Sequence, residues 1–273
     1  MTLVSIALGV IYIGLYESDV INIMDSNMEL STKNVANQIA SQLNSKEEIL
    51  KNIAKDPDIV SMDWDKQKKL IPKLMEEWNF SDIYVVNNSG KGKALDQETG
   101  SFDIDYSDEN FFKTAKENGD KATYVEPFNY KGITFITIIT PIKDGETIVG
   151  YILGDIDVTN MNKLLEAFKV GDTGKAFIID KSGLYMAHID LEEVEKAKKI
   201  QGILKNEDDL KKITSKNEVV MDIVNSDGKE LICSSVKISE DTEWYVVLTV
   251  EENELLHTVS MDWNNYVCTT DIF

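Results

Sequence analysis

The sequence predicts an α+β fold in which one long N-terminal helix precedes two tandem modules built on antiparallel sheets. Three observations support this prediction. Apolar residues recur at helical spacing over residues 21–54. Long β-branched segments occur in pairs that a short turn connects. A second set of strand signals follows the first at an offset of about 95 residues, which is typical of duplicated modules.

Composition limits the classes of partner. The 273 residues allow one large domain or two modest ones, and a hydrophobic fraction of 42% is enough to form cores. A net charge of −20 makes nucleic acid a poor partner, because phosphate binding needs clustered cations. All 28 cationic residues are lysines, so no site in this chain can use the planar guanidinium fork that anchors carboxylates.

The chain begins with an uncharged apolar segment, Leu3–Tyr16. As a helix this segment would reach about 21 Å, less than the roughly 30 Å hydrocarbon layer of a bilayer. We predict that residues 1–20 are part of a transmembrane helix that tethers the protein to the cell membrane. An uncleaved signal sequence and a buried helix are the alternatives.

Residues 21–56 are predicted to form a long spine helix. Its apolar residues follow helical or near-helical spacing: Val35, Ile39, Leu43, Ile49 and Ile53. Pro57 ends it, since proline disfavours helical backbone at the preceding residue. A second helix is predicted over Trp64–Trp78.

Strand signals then follow in two sets. The first set comprises Ile83–Val86, Tyr124–Glu126, Thr134–Ile142 and Thr147–Asp157, followed by a helix over Asn160–Phe168. The second set comprises Ala176–Asp180, Lys229–Ile238 and Glu243–Val250. These sets define two modules, residues 57–160 and 161–256, and a tail of unknown role at residues 257–273.

Several segments together resemble the double Cache sensor domain, a tandem PAS-like fold of bacterial chemoreceptors, sensor kinases and cyclic-nucleotide signalling enzymes. The similarity covers residues 17–256 and rests on the order of these segments: YSDENFFKTA, TYVEPF, TFITIITPI, GYILGDID, GDTGKAFIIDKSGLYMAHID and EWYVVLTVEENEL. The resemblance implies that residues 57–160 are the membrane-distal module and residues 161–256 the membrane-proximal one. It also implies that the spine helix can lie along a homodimer seam.

The resemblance implies a ligand site in the distal module. In the amino-acid-binding branch of the family, an arginine and aromatic residues hold the ligand carboxylate, and a tyrosine and an aspartate hold its ammonium group. The aspartate corresponds to Asp155, the tyrosine to Tyr124, the aromatic pair to Phe111 and Phe112, and the arginine to Glu109.

Glu109 departs from the family pattern, because a glutamate repels a carboxylate. We therefore expect an amine or another cationic or neutral metabolite as the ligand. Each residue also has a structural alternative. Asp155 or Asp157 could cap the following helix, Tyr124 could be a half-buried strand residue, and Glu109 could lie on a solvated helix start. One of the two adjacent phenylalanines is expected to face the core.

No catalytic or metal-binding motif occurs in the sequence, so we expect no enzyme activity, no cofactor and no metal site. His188 lies near Asp180 and Asp190, but this group offers too few ligands for a metal.

The leading hypothesis is small-molecule sensing outside the cytoplasm by the input domain of a transmembrane chemoreceptor, which would signal by a ligand-induced conformational change. An input domain of a histidine kinase or diguanylate cyclase, and a ligand-free interaction module, are the alternatives.

Overall fold

The computed structural model describes residues 2–254 except 97–99, 131–132, 169, 197–198, 201–202 and 241, and omits the side chains of residues 2–20, 96, 129, 160, 191 and 195. The predicted tail, residues 257–273, lies outside the described residues. The chain divides into two compact units. Ile39–Asn160 form the first-sheet unit, and the described residues of Met1–Gln38 and Met161–Phe273 form the second-sheet unit. Each contains one antiparallel sheet, which confirms the predicted α+β fold.

Helix α1 spans Thr2–Ile53 and so begins well before the amphipathic pattern that predicted it. Among its described side chains, the buried apolar ones are Met28, Val35, Ala36, Ile39, Leu43, Leu50 and Ile53. The helix ends ahead of Pro57, as predicted. Asp56 then caps the short helix α2 (Pro57–Val60) by accepting a hydrogen bond of 2.8 Å from the backbone amide of Asp58.

No helix in the described part of the chain is both long and apolar enough to cross a membrane. The predicted spanning segment, Leu3–Tyr16, falls where side chains are not described, and it stays a prediction.

The first-sheet unit adds helices and a twisted antiparallel sheet to the end of α1. Its helices after α2 are α3 (Trp64–Trp78) and α4 (Asn110–Glu117). Its strands are β1 (Asp82–Asn87), β2 (Lys91–Asp96), β3 (Gly100–Asp105), β4 (Thr123–Tyr124), β5 (Phe128–Tyr130), β6 (Ile133–Asp144) and β7 (Thr147–Asp157). The strand order is β3-β2-β1-β7-β6-β4, and β5 pairs with β6.

The two faces of this sheet have different coverings, because successive side chains of a strand point to opposite sides. On one side, here called the α1 face, Ile138 and Ile152 pack with residues of α1 and α3. Gly154 lies on this face, where a Cβ atom would come within 2.8 Å of the Phe80 ring. On the other side, here called the α4 face, Tyr151 and Leu153 pack with Phe112 and other residues of α4.

The second-sheet unit contains helices on a smaller sheet. Its helices are α5 (Thr159–Ala167, which begins at the end of the first-sheet unit), α6 (Leu191–Glu195) and α7 (Asp208–Ile213). Its strands are β8 (Lys175–Asp180), β9 (Tyr185–His188), β10 (Glu218–Val224), β11 (Glu230–Lys237) and β12 (Trp244–Glu251), in the order β10-β11-β12-β8-β9. The hydroxyl of Thr32 in α1 donates a hydrogen bond of 2.8 Å to the buried hydroxyl of Ser234 in β11.

Candidate ligand-binding site

Asp155 is a carboxylate in the largely buried strand β7, and only 4% of its surface is exposed. It follows Tyr151 and Leu153 at intervals of two, so it shares the α4 face with them. Thr137 of β6 is its direct cross-strand partner and donates a hydrogen bond of 2.6 Å from its hydroxyl to Asp155 Oδ1. This hydrogen bond satisfies one carboxylate oxygen only.

Asp82 lies on the other side of Asp155 in the same row of the sheet. The register of β1 against β7 pairs Asp82 directly with Asp155, so both carboxylates lie on the α4 face. The hydroxyl of Tyr84, two residues along β1, donates a hydrogen bond of 2.9 Å to Asp82 Oδ2. Three paired strands thus bring Thr137, Asp155 and Asp82 into one row.

The electrostatics of this row are unusual. Burial raises the pKa of Asp155 to about 7; the hydrogen bond from Thr137 opposes this shift, and the Asp82 carboxylate adds to it. Burial and then the two carboxylates also raise the pKa of the Tyr84 hydroxyl. A positive charge beside Asp155 and Asp82 would lower the pKa of Asp155 and that of Tyr84.

Tyr106, in the segment before α4, and Phe111, in the first turn of α4, form the aromatic side of the site. Their ring centroids lie 5.3 Å apart in an edge-to-face arrangement. Burial raises the pKa of Tyr106 to about 12, with further contributions from Asp155, Asp82 and Glu109. Tyr106 is therefore within electrostatic range of all three carboxylates.

Glu109 occupies the N-cap position of α4 but forms no side-chain capping hydrogen bond, and it is exposed. Its carboxylate is close enough to raise the pKa of the Tyr106 hydroxyl. Glu109 therefore adds negative charge to the rim of the site, where the family resemblance implies an arginine.

Phe112 points away from these carboxylates and into the core. It is 1% exposed, and its ring meets that of Tyr151 edge to face at 5.2 Å. A Cβ atom on Gly90 would come within 2.9 Å of the same ring. Of the predicted phenylalanine pair, Phe111 is thus the member near Tyr106, and Phe112 is the one that faces the core.

Tyr124 is not brought together with Asp155. It pairs with Ile138, whose row across the sheet continues through Gly154 and lies on the α1 face. Its hydroxyl donates a hydrogen bond of 2.5 Å to Glu47 in α1. Because Tyr124 and Asp155 occupy opposite faces, the sheet itself separates them.

Asp157 accounts for the predicted helix cap. Its Oδ1 accepts hydrogen bonds from the backbone amide and the hydroxyl of Thr159, at 2.8 and 2.6 Å, where α5 begins. Asp155 is thereby left for another role. Sequence reasoning did not single out Asp82, Tyr84, Tyr106 or Thr137 as site residues. The spacing of Asp82 and Tyr84 in β1 was the available signal, because residues two apart in a strand point to the same face of a sheet.

In the second-sheet unit, a cavity of about 580 Å³ lies beside α7 and β10 and is lined by Lys205, Asn206, Asp209, Asp222, Ile223, Val224, Glu230 and Glu252. Its buried carboxylate, Asp209, forms an ion pair of 2.8 Å with Lys212. His188 accepts a hydrogen bond of 3.0 Å from the amide of Asp190, and burial lowers its pKa. Among the described residues, no group of three or more histidine, cysteine or acidic side chains could hold a metal ion.

Comparison with known proteins identifies a family and several solved structures that this chain resembles. A family model described as a Cache domain matches residues 16–259. The ligand-binding domain of the Pseudomonas fluorescens chemoreceptor CtaA, in complex with L-isoleucine, is similar at a TM-score of 0.68 and 20% identity, covering 89% of this chain and 98% of that one. The periplasmic sensory domain of the Campylobacter jejuni chemoreceptor Tlp1 is similar at a TM-score of 0.67 and 16% identity, covering 87% and 98%.

The extracellular domain of mmHK1S-Z2, a candidate histidine kinase, is similar at a TM-score of 0.70 and 18% identity, covering 85% of this chain and 98% of that one. At these identities the likenesses show a shared fold. No curated protein sequence matches the chain.

Proposed function

The chain belongs to the Cache domain family, and we propose that it is the extracytoplasmic input part of a bacterial membrane receptor with a small-molecule site in its first-sheet unit. Similar structures come from a chemoreceptor ligand-binding domain, a periplasmic sensory domain and an extracellular domain, which supports placement outside the cytoplasm. A chemoreceptor is the leading assignment for the whole protein, and a sensor kinase or cyclase is the alternative. The chain acts by binding, without catalysis.

The observation that carries the proposal is the buried carboxylate of Asp155 beside Asp82. A buried charge destabilises a fold unless it is compensated. The row offers Asp155 one hydrogen bond from Thr137 and a second negative charge from Asp82. A ligand cation would supply the compensation, and Tyr84 and Tyr106 would add cation–π attraction. The ligand is therefore an amine or a related cationic metabolite.

An ordinary α-amino acid fits this site less well, although the CtaA domain was solved with L-isoleucine. The ligand carboxylate would need a cationic clamp, and the sequence contains no arginine. Glu109 adds repulsion at the rim of the site. These charges favour ligands that lack a carboxylate.

Calorimetric titration of the 273-residue chain at pH 8 tests the ligand class. The titrants are methylammonium, tetramethylammonium and ethylenediamine, with L-isoleucine and succinate as comparison compounds that carry a carboxylate. We expect at least one amine to bind, and we expect the Asp155→Asn variant to weaken its binding at least tenfold. Asp144→Asn is the matched control, because Asp144 is an exposed carboxylate at the turn end of β6.

Binding of L-isoleucine without any amine would contradict the proposed ligand class. If none of the titrants binds, the ligand-free interaction module becomes the better account.

The type of output is tested with hybrid receptors. The whole chain is joined to the signalling half of a chemoreceptor and, separately, to that of a histidine kinase, and the response of each hybrid to the bound amine is measured. A response in the chemoreceptor hybrid supports the leading assignment. A response in the kinase hybrid alone supports the alternative.

A further inference from the structure

Asp82 and Asp155 are held side by side by the backbone rather than by flexible side chains. Their strands are paired residue to residue, and the amide of Ser81 donates a hydrogen bond of 2.9 Å to the carbonyl of Asp155. The backbone positions that carry the two carboxylates therefore stay paired unless β1 and β7 are disrupted. A proton on one carboxylate, or a cation bound beside the pair, relieves the repulsion between them.

The groups around Asp155 come from each element packed against the α4 face. Strand β1 contributes Asp82 and Tyr84, and strand β6 contributes Thr137. The segment just before α4 contributes Tyr106 and Glu109. On β7 itself, Asp157 lies two residues further along and is engaged by Thr159. Among the described residues these neighbours are acidic or neutral, and the acidic ones favour a bound positive charge.

We propose that the Asp82–Asp155 pair holds one proton in the ligand-free protein and exchanges this proton for the ligand's positive charge, so that cation binding is coupled to proton release. This inference rests on the proposed function of the same site. In the exchange, the Asp155 carboxylic acid loses its proton to solvent, and the resulting carboxylate pairs with the ligand cation. Asp82 keeps its hydrogen bond from Tyr84 throughout.

The exchange makes the receptor respond to pH as well as to ligand. Burial raises the pKa of Asp155 to about 7, so the proton competes with the ligand near neutral pH. Linkage with this value predicts that a permanent cation binds about tenfold more weakly at pH 6 than at pH 8. The release of about 0.9 proton per cation bound is expected at pH 6, and about 0.1 at pH 8.

Tetramethylammonium is the suitable probe, because it carries no proton of its own and every released proton must come from the protein. The 273-residue chain is titrated calorimetrically at pH 6 and pH 8, each in two buffers of different ionisation enthalpy. The difference between buffers gives the number of protons released. In parallel, the carboxyl carbon of Asp155 is followed by NMR in aspartate-labelled protein and assigned with the Asp155→Asn variant.

We expect the Asp155 resonance to titrate near pH 7, the affinity to change about tenfold, and Asp82→Asn to reduce both effects. Equal affinity at both pH values without proton release, or titration of Asp155 near its usual 3.8, would overturn the exchange while leaving cation binding in place. If Asp155 titrates near pH 7 but neither tetramethylammonium nor any other amine binds at either pH, the proposed function has failed, and the exchange fails with it.

Discussion

Asp82 and Asp155 are cross-strand partners in β1 and β7, and their carboxylates lie on the same face of the first sheet. Thr137 completes the row from β6 with a hydrogen bond of 2.6 Å to Asp155. The register of three strands therefore fixes two acids and one hydroxyl within one row. Such a row costs stability in the absence of a ligand, and this cost is characteristic of a site that serves binding.

The cost should be visible in the pH dependence of stability. Burial raises the pKa of Asp155 to about 7 in the folded protein, compared with 3.8 for an ordinary aspartate, which is the value taken for the unfolded chain. The folded state therefore binds the proton more tightly than the unfolded chain, and stability falls as pH rises from about 4 to about 7. Asp155→Asn removes this loss. We expect it to raise the free energy of unfolding at pH 8 by up to about 4 kcal/mol.

Urea denaturation at several pH values between 4 and 8 measures this effect. The gain of Asp155→Asn over wild type should shrink steadily towards pH 4, and Asp144→Asn should show no such trend. A gain that is independent of pH would mean that Asp155 is not a buried titrating carboxylate.

Two tyrosines allow a matched test of the two sheet faces. Tyr124→Phe removes the hydrogen bond to Glu47 on the α1 face and should lower the free energy of unfolding by about 1–2 kcal/mol, with amine affinity unchanged. Tyr84→Phe removes the hydrogen bond to Asp82 on the α4 face and should change amine affinity. Calorimetric titration of both variants shows which of the two tyrosines affects amine affinity. Loss of amine binding in Tyr124→Phe alone would restore Tyr124 to the site.

Substitutions of the two adjacent phenylalanines should likewise differ in their effects on stability and on ligand binding. Phe112 is fully buried against Tyr151, so Phe112→Ala should lower the free energy of unfolding by about 3–5 kcal/mol. Phe111 is half-buried beside Tyr106, so Phe111→Ala should cost about 1–2 kcal/mol and weaken tetramethylammonium binding roughly fivefold. Denaturation and titration of both variants check this. Equal stability losses would show that the two rings are equally buried.

Lys46 should stabilise the end of α3. Its ammonium group donates hydrogen bonds of 2.5 and 2.7 Å to the carbonyls of Trp78 and Asn79, and it lies 4.6 Å from the centroid of the Phe80 ring. A cation at a helix C-terminus is favourable. We expect Lys46→Met to lower the free energy of unfolding by about 1–2 kcal/mol. Lys68→Met, at an exposed ion pair with Asp65, should change it by less than about 0.5 kcal/mol.

The sequence was sufficient to predict the long helix and the central strands. The family resemblance pointed to Asp155, whose part in ligand binding stays a prediction. Strands β6 and β7 carry continuous buried segments, which gives a clear local signal. Strands β2 and β3 were not predicted, because most described side chains of β3 are exposed and no buried alternation marks it.

The composition of the site was harder to predict, because it depends on pairing between distant strands. Whether Tyr124 shares a face with Asp155 is decided by the register of β4 on β6, and a shift of one residue would reverse it. Asp82 reaches Asp155 only because β1 pairs with β7, about 70 residues further along the chain.

Titration of the wild-type chain and the Asp155→Asn variant with tetramethylammonium at pH 8 tests the central claim most directly. We expect wild type to bind, Asp144→Asn to bind equally well, and Asp155→Asn to bind at least tenfold more weakly. Equal affinity in wild type and Asp155→Asn, or binding of succinate in place of the amine, would contradict a cation site at the Asp82–Asp155 pair.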